Sequence, residues 1–535
     1  MRKRQKKTII LICSVIVFIF IAVFGAELWL GHKIKRIIEN EPAALVNGPY
    51  NGTVGRVGVS LLNRSVNIRD VNIKGSHSDS SVDSSFLRSL DMKCRNIIVE
   101  GIKFKKRNGT RIISVKNIRI NSPEAIIALN NIDPHKKTEN KSAGKRKFAL
   151  EDFNSSDVEI KNGYITIERP DKAGHDKYTL DGLNLKITDL KIDSLSGSKP
   201  YFDGDARMTV KKITYMFQHD LMVLTVDNVS VNSKKGNFSV GAVNLDPQIT
   251  KYDFAYKDPD HTDWTRVSSG KITGIGLDFN KLITENTLKV DSISVNNVEV
   301  ESYKNRKIQV RNKVKPLFYQ SLQRMDMRMD IPVIKVSNVD VAYEELAVDG
   351  EMPGRIRFNN INGTFYGLTN IVKEDGKDYF KLVASAKLEE KGQLDATFLF
   401  PVSASTNHFE VTGKLGYMPL PYVNGMVEPL AKARIDEGQI NSFDFHISGT
   451  SSHSYVRMTL LYSDLDVTLL KEKKDGEIKE RKFLSFIADT FIIKPSNPHR
   501  GDIRNVMAEA ERDPYRSQFN YLWKSLMAGI KKTIM

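Results

Sequence analysis

Residues 66–73 read VNIRDVNI, and this apolar-x-apolar-x-x-apolar-x-apolar pattern is the strongest structural signal in the chain. It recurs at Ile97–Phe104, Ile113–Ile120, Leu185–Ile192, Leu224–Val231, Ile293–Val300, Ile334–Val341 and Leu460–Val467. In every copy the fifth residue is Asp, Asn or Gly, the residue types that best tolerate a positive φ. The eight copies carry at this position Asp70, Gly101, Asn117, Asp189, Asn228, Asn297, Asn338 and Asp464.

The spacing of the two apolar pairs predicts a bent strand. Side chains of a regular strand alternate between its faces, so the two pairs would fall on opposite faces. A β-bulge with a left-handed residue absorbs one residue, returns both pairs to one face and bends the strand. We therefore predict a mostly β protein with an elongated, curled antiparallel sheet, forming a groove or an open barrel-like body. Ordinary half-buried strands and two-residue hairpins remain alternatives, although hairpin arms of about three residues would be short.

Composition limits the function classes. The chain has 535 residues, a net charge of +16 and an isoelectric point near 9.4. This length exceeds one compact core, and the charge favours anionic partners such as lipid headgroups, unless it only serves solubility. The two cysteines, Cys13 and Cys94, do not form a disulfide framework.

The N-terminus predicts a membrane anchor. Residues 8–26 are uncharged and almost wholly apolar, and about nineteen helical residues match the bilayer core. Five basic residues precede this run, which places residues 1–7 in the cytoplasm and the remaining chain outside. A cleaved signal peptide is the alternative interpretation. The predicted anchor is carried by Ile9, Ile10, Leu11, Val15, Val17, Phe18, Phe20, Val23 and Phe24.

Beyond the anchor, we predict a β-rich region over residues 27–400, a C-terminal unit over 401–482 and an amphipathic helical tail over 483–535. Helical patterns occur at Gly31–Leu45, Val314–Met329, Pro421–Gly438 and Arg504–Met535. The last helix either caps the open end of the sheet or lies at a membrane interface. Its apolar stripe consists of Phe519, Leu522, Trp523, Leu526 and Ile530.

No motif indicates catalysis. The chain lacks G-x-S-x-G, P-loop, G-x-G-x-x-G and H-E-x-x-H motifs, and its ten histidines are scattered. His446 lies between Phe445 and Ile447 in an alternating strand and is better explained as a surface residue than as a base. We therefore expect no enzyme, no metal and no cofactor. Nucleic-acid binding is disfavoured because basic and aromatic residues do not interleave on a surface.

Both ends of the chain resemble one protein family. The anchor, the opening strands Tyr50–Ile73, the segment Ala431–Gly449 and the run Leu460–Leu470 are similar to the AsmA-like proteins of Gram-negative bacteria. The resemblance covers both ends of the chain well and the middle only in style. It implies an inner-membrane, single-pass protein with its bulk in the periplasm. It also implies a relation to bridge-like lipid carriers, phospholipid transport and outer-membrane homeostasis.

The leading expectation is a protein that binds or conducts membrane lipids along an apolar β-groove. A non-enzymatic scaffold that contacts envelope proteins is the main alternative, and a hydrolase with an unrecognised site is a third. The groove could also be filled by other parts of the protein. The residues predicted to face the groove are Val66, Ile68, Val71, Ile73, Ile293, Val295, Val298 and Val300.

Overall fold

The computed structural model describes most of the chain beyond residue 21. The described residues are 22–36, 39, 50–76, 87–107, 110–129, 152–171, 174–193, 201–202, 204–308, 313–372, 379–403, 405–472, 478–482 and 493–535. They form a mostly β protein. The chain divides into two compact units. Unit 1 comprises residues 1–220 and 225–235, and unit 2 comprises residues 221–224 and 236–535.

Unit 1 is a twisted sheet of long strands. Its strands pair in the order β1-β2-β3-β5-β6-β7-β9, with β4 beside β5 and β8 beside β7. The strands are β1 (Tyr50–Ser60), β2 (Ser65–Ser76), β3 (Leu87–Glu100), β4 (Lys103–Arg107), β5 (Thr110–Leu129), β6 (Asp152–Asp171), β7 (Gly174–Asp193), β8 (Tyr201–Phe202) and β9 (Ala206–Phe217). Strand β10 (Met222–Asn232) follows, and most of it belongs to this unit.

In unit 2, the main order is β12-β13-β16-β17-β18-β19-β20-β21-β23-β24-β26. The first strands are β11 (Asn237–Val240), β12 (Ala242–Pro247), β13 (Trp264–Ser269), β14 (Ile272–Ile275), β15 (Thr287–Lys289), β16 (Ser292–Asn305), β17 (Arg328–Leu346) and β18 (Gly354–Thr369). The others are β19 (Tyr379–Leu388), β20 (Gly392–Pro401), β21 (Phe409–Leu415), β22 (Met418–Pro419), β23 (Ala433–Gly449), β24 (His453–Glu472), β25 (Ile478–Lys482) and β26 (Asn505–Glu511).

The predicted left-handed residues are confirmed in seven of the eight pattern copies. Their φ values lie between 53° and 69°, at Asp70, Gly101, Asp189, Asn228, Asn297, Asn338 and Asp464. The exception is Asn117, which is absent from the residues with positive φ; β5 instead has its left-handed residue at Ser122. Around Gly101 the pattern is divided between two strands, because β3 ends at Glu100 and β4 begins at Lys103.

The kinks of neighbouring strands lie side by side. In the parallel pair β16–β17, Asn296 pairs with Ser337 and Val298 with Val339, so the left-handed Asn297 and Asn338 face each other. The register is unbroken there, whereas β17–β18 shifts register after Val336. The extra residue is therefore absorbed either by a kink shared with the next strand or by a bulge.

Side-chain amides hold the kink of β17 in place. The Asn338 side chain donates to Asn297 Oδ1 at 2.8 Å, and the Asn338 backbone N–H donates to Asn362 Oδ1 at 3.1 Å. The same arrangement recurs in unit 1, where the Asn162 N–H donates to Asn184 Oδ1 at 3.0 Å. Asn therefore serves twice at these positions, because it tolerates a positive φ and its amide bonds to the neighbouring strand.

The prediction of an antiparallel sheet needs correction, and the predicted boundary at residue 401 is not tested by the structure. The strands are mostly antiparallel, but β5–β6, β15–β17 and β16–β17 are parallel, so the arrangement is mixed. The pattern of one strand specifies its apolar face and not its neighbour's direction, so sequence could not exclude this. The boundary at residue 401 stays a prediction; β20 and β21, on either side of it, pair in register.

The helices of unit 2 are shorter than predicted. In unit 1, helix α1 includes residues 22–36 of the described part of the chain. It is followed by α2 (Lys251–Lys257), α3 (Phe279–Glu285), α4 (Phe318–Gln323), a 3-10 turn (Leu420–Val423), α5 (Asn424–Ala431) and α6 (Gln518–Ile534). Helices α2 and α3 were not predicted from the sequence. The prediction of continuous helix from Arg504 was wrong, because Asn505–Glu511 pairs with β24 as strand β26. Pairing with a sheet edge outweighed the local helical pattern there.

Candidate functional site

Apolar side chains form continuous rows across unit 1. In two rows every pairing is apolar with apolar over seven strands, β1-β2-β3-β5-β6-β7-β9. One row consists of Val57, Ile68, Ile97, Ile120, Ile160, Leu185 and Met208. The other consists of Val59, Val66, Val99, Ile118, Val158, Ile187 and Ala206. These rows make one face of the unit 1 sheet apolar, and we call it the unit 1 apolar face.

The predicted groove residues of β2 lie on this face. Val71 and Ile73 are buried with Cys94, and Ile68 packs against the same cluster from across the kink at Asp70. Val66 is half-buried in the second row. The left-handed residue thus keeps both apolar pairs on one face, as the pattern predicted.

The opposite face of the same strands is polar. One of its rows consists of Thr53, Asn72, Lys93, Glu124, Tyr164, Asp181 and Lys212. Among the described residues of unit 1, the apolar rows stay mostly half-buried, which is typical of a single layer whose side chains cover only each other. A half-covered apolar face of this extent is a candidate binding surface for apolar molecules.

Helix α1 lies against β1, where a Cβ on Gly31 would be 3.9 Å from Val59 Cγ2 of the second apolar row. Glu27 Oε1 accepts the Leu61 N–H at 2.6 Å, and Lys35 Nζ donates to the Gly55 carbonyl at 3.2 Å. These bonds satisfy backbone groups that an edge strand would otherwise expose.

The contributions of β5, β6, β7 and β9 to this face were not predicted from the sequence. Ile118 and Ile120 end the pattern copy at Ile113–Ile120, so their signal was available. In β7, YTLDGLNL from Tyr178 to Leu185 is a further copy, and its fifth residue, Gly182, has a φ of 68°. In β6 the signal is weaker, since Asn162 is left-handed but Gly163 takes the next apolar position.

The reactivity of the Cys94 thiol can be used to test the burial of this part of the unit 1 apolar face. The Cys94 side chain is 3% exposed, and burial raises the pKa of its thiol, partly offset by bonds to the Asn96 and Asn121 carbonyls. A raised pKa leaves less of the reactive thiolate at a given pH.

In a Cys13→Ser background, we expect iodoacetamide at pH 8 to alkylate Cys94 of the folded protein at least about tenfold more slowly than Cys94 of the urea-unfolded chain. The folded rate should keep rising above pH 9, and equal rates in both states would contradict this placement.

In unit 2, helices cover much of the corresponding apolar face. Around α4, Leu317 and Tyr319 are buried, and the Phe318 ring lies 5.4 Å from that of Phe400. Helix α6 packs on β24 and β26 through Tyr521, Ser525, Gly529 and Thr533. The resulting core includes Ile331, Leu368, Phe380, Phe409, Val411, Leu415, Phe443, Ile447, Val456, Met458 and Tyr462.

The four groove candidates of β16 lie on the helix-bearing face of unit 2. Ile293 packs against the core around α4 and α6. Val295, Val298 and Val300 are half-buried and pair with Val336, Val339 and Val341 of β17. The four predicted groove residues of β16 therefore lie on a face that the protein's own helices partly fill.

The predicted stripe of the C-terminal helix is divided between packing and exposure. Leu522, Leu526 and Ile530 pack against the unit 2 core. Phe519 and Trp523 each remain 44% exposed. The Phe519 ring contacts the rings of Tyr343 and Phe358, at 5.6 and 6.3 Å between centroids. Contact of this stripe with a membrane stays a prediction.

Most of the predicted anchor lies outside the described residues. Of the nine residues predicted to carry the anchor, only Val23 and Phe24 are described, and both belong to α1. Within the part of the chain that the structure describes, no helix is both long and apolar enough to cross a membrane.

The polar face of unit 2 carries an open trough of about 770 Å³ across β17 to β24. Its charged groups are mixed, with Lys335, Lys414 and Arg457 facing Asp395 and Asp444. His446 also lines it, and its Nε2 is 3.7 Å from Glu410 Oε2. No group of three potential metal ligands occurs among the described residues. The trough therefore has no clear preference for one charge.

Comparison with known proteins adds no identification: no protein-family model matches the chain, and no curated protein matches it significantly. The site thus defines a class by its chemistry alone, a β-sheet with an extended apolar face.

Proposed function

We propose that this protein binds or conducts lipids along the apolar face of its sheet. In this proposal it is anchored in the inner membrane by residues 8–26, with its bulk in the periplasm. It would contribute to lipid transport between membranes and to outer-membrane homeostasis, as the resemblance to AsmA-like proteins implies. Its partners are membrane lipids, and no catalytic step is required.

The observation that carries the proposal is the pair of unbroken apolar rows on the unit 1 apolar face. Acyl chains are unbranched and apolar, so they match a surface that offers apolar contacts without interruption. Each buried methylene contributes about 0.8 kcal/mol, so a long track offsets the cost of leaving a bilayer. The polar rows on the other face keep that side of the sheet in water.

The first test is mass spectrometry of lipids extracted from the full chain. The protein is purified in a detergent that binds the apolar face less tightly than lipids do. We expect at least one phospholipid or glycolipid per protein, enriched over an unrelated single-pass membrane protein purified in parallel. A folded protein with no lipid above that control would contradict the proposal.

The alternative is a non-enzymatic scaffold or regulator of envelope assembly. Its support is the unit 2 core, where α4 and α6 occupy the apolar face with the protein's own side chains. A scaffold would lose function when exposed residues change and would be insensitive to charges on the unit 1 apolar face.

A further inference from the structure

A buried lysine of unit 2 lies beyond the valine pairs of β16 and β17, after the pair of Ser302 and Tyr343. Lys304 is near the end of β16, two strand repeats beyond Val300 on the same face, and pairs with Glu345 of β17. Its side chain is only 7% exposed. The valine pairs Val298–Val339 and Val300–Val341 lead towards it along the two strands.

The positive charge around Lys304 exceeds what nearby carboxylates neutralise. Asp263 is the acid closest to Lys304 Nζ, at 3.8 Å, and the same carboxylate is 3.9 Å from Lys315 Nζ. Arg516 adds a further positive charge near Lys304. Burial lowers the pKa of Lys304, and Arg516 and Lys315 act in the same direction, against Asp263 and Glu345.

The remaining acids of this cluster have cationic partners of their own. Glu345 Oε1 accepts from Arg306 Nη1 at 3.1 Å, and Asp513 Oδ2 is 3.5 Å from Arg516 Nε. Asp263 Oδ1 lies 3.8 Å from Lys304 Nζ, which is beyond hydrogen-bond distance, although an ammonium group carries three donors. A buried ammonium with unfilled donors is costly unless an anion or water completes its shell.

We propose that Lys304, together with Lys315 and Arg516, binds a phosphate-type oxyanion. On the proposed lipid function, this anion is the headgroup of a phosphate-bearing lipid whose chains lie on the valines of β16 and β17. A free phosphate ion offers the same chemistry. Lys315 and Asp263 are 31% and 26% exposed, so the cluster is open to such a ligand.

The test uses the detergent-solubilised full chain and isothermal titration calorimetry. The titrants are dihexanoyl phosphatidic acid, dihexanoylglycerol with the same chains but no phosphate, and inorganic phosphate. Lys304→Met removes the charge and keeps much of the side-chain volume. Lys271→Met is the matched control, because Lys271 is an exposed lysine of the same unit. Asp263 keeps Lys315 Nζ at 3.9 Å in this variant, so its carboxylate is not left without a cationic partner and the variant should fold.

We expect Lys304→Met to weaken phosphatidic acid binding at least tenfold and to leave dihexanoylglycerol binding unchanged, with Lys271→Met like the parent. Lys304→Arg should recover most of the loss. If the protein binds inorganic phosphate through Lys304 but neither lipid, the anion site stands and the lipid function fails. If Lys304→Met keeps the preference for phosphate, or the parent has none, the anion site is wrong.

Discussion

An Ile68→Asp substitution is expected to reduce the lipid that co-purifies with the protein at least tenfold. Ile68 lies in the first apolar row of unit 1, between Val57 and Ile97. An acyl chain that covers an unpaired carboxylate must desolvate it, at a cost of about 3 kcal/mol or more, and about 1.4 kcal/mol corresponds to tenfold in affinity. The measurement is quantitative mass spectrometry of extracted lipid per mole of protein.

The matched control is Arg69→Asp on the next residue of the same strand. Arg69 is exposed on the polar face and pairs across β1 with Arg56, so an aspartate there replaces two like charges by an opposite pair. It should leave bound lipid unchanged. Circular dichroism and thermal unfolding must show that both variants keep the sheet. Equal lipid in Ile68→Asp and Arg69→Asp, with both folded, would rule out the unit 1 apolar face as the binding surface.

An Asn338→Val substitution is expected to lower the free energy of unfolding of unit 2 by about 3 kcal/mol. Asn338 has a φ of 55°, and a left-handed backbone costs L-residues about 1–2 kcal/mol, more for β-branched ones. The substitution also removes the bond from Asn338 Nδ2 to Asn297 Oδ1, worth about 1 kcal/mol. Urea unfolding can be followed by tryptophan fluorescence in a Trp29→Phe background, where Trp264 and Trp523 report unit 2 alone.

Asn338→Gly separates the two contributions. Glycine accepts the positive φ and keeps the backbone bond to Asn362 Oδ1, so it should cost only about 1 kcal/mol for the lost side-chain bond. If the valine and glycine variants are equally stable, the left-handed backbone of Asn338 carries no energetic weight, and the kink has another cause.

The helices show where local patterns mislead. The apolar stripe of Phe519, Leu522 and Leu526 is real, and α6 begins at Gln518. Its buried row, however, is Tyr521, Ser525, Gly529 and Thr533, mostly small and polar residues. Sequence hydropathy could not find this row, because its fit depends on close contact: a Cβ on Gly529 would lie 2.4 Å from Met458 Cε.

Only part of the candidate site was predicted, because the sequence pattern identifies residues in complete copies and gives no information on contacts between distant segments. Val71 and Ile73 were recognised because their pattern copy is complete, and Ile160 was not, because β6 carries Gly163 where the pattern has an apolar residue. Lys304 gave no signal at all. Its burial, and the sharing of Asp263 with Lys315, depend on segments more than 40 residues apart in the sequence that meet only in the fold.

The sequence by itself determined most of the strands, their apolar faces and seven left-handed positions. These features depend on residue type and on a period of two, both of which are local. Only the tertiary structure decided which strands run parallel, which apolar face is filled by α4 and α6, and which stays half-covered. Those outcomes depend on contacts between segments that are distant in the sequence. The pattern of one strand carries no information about which segment it will contact.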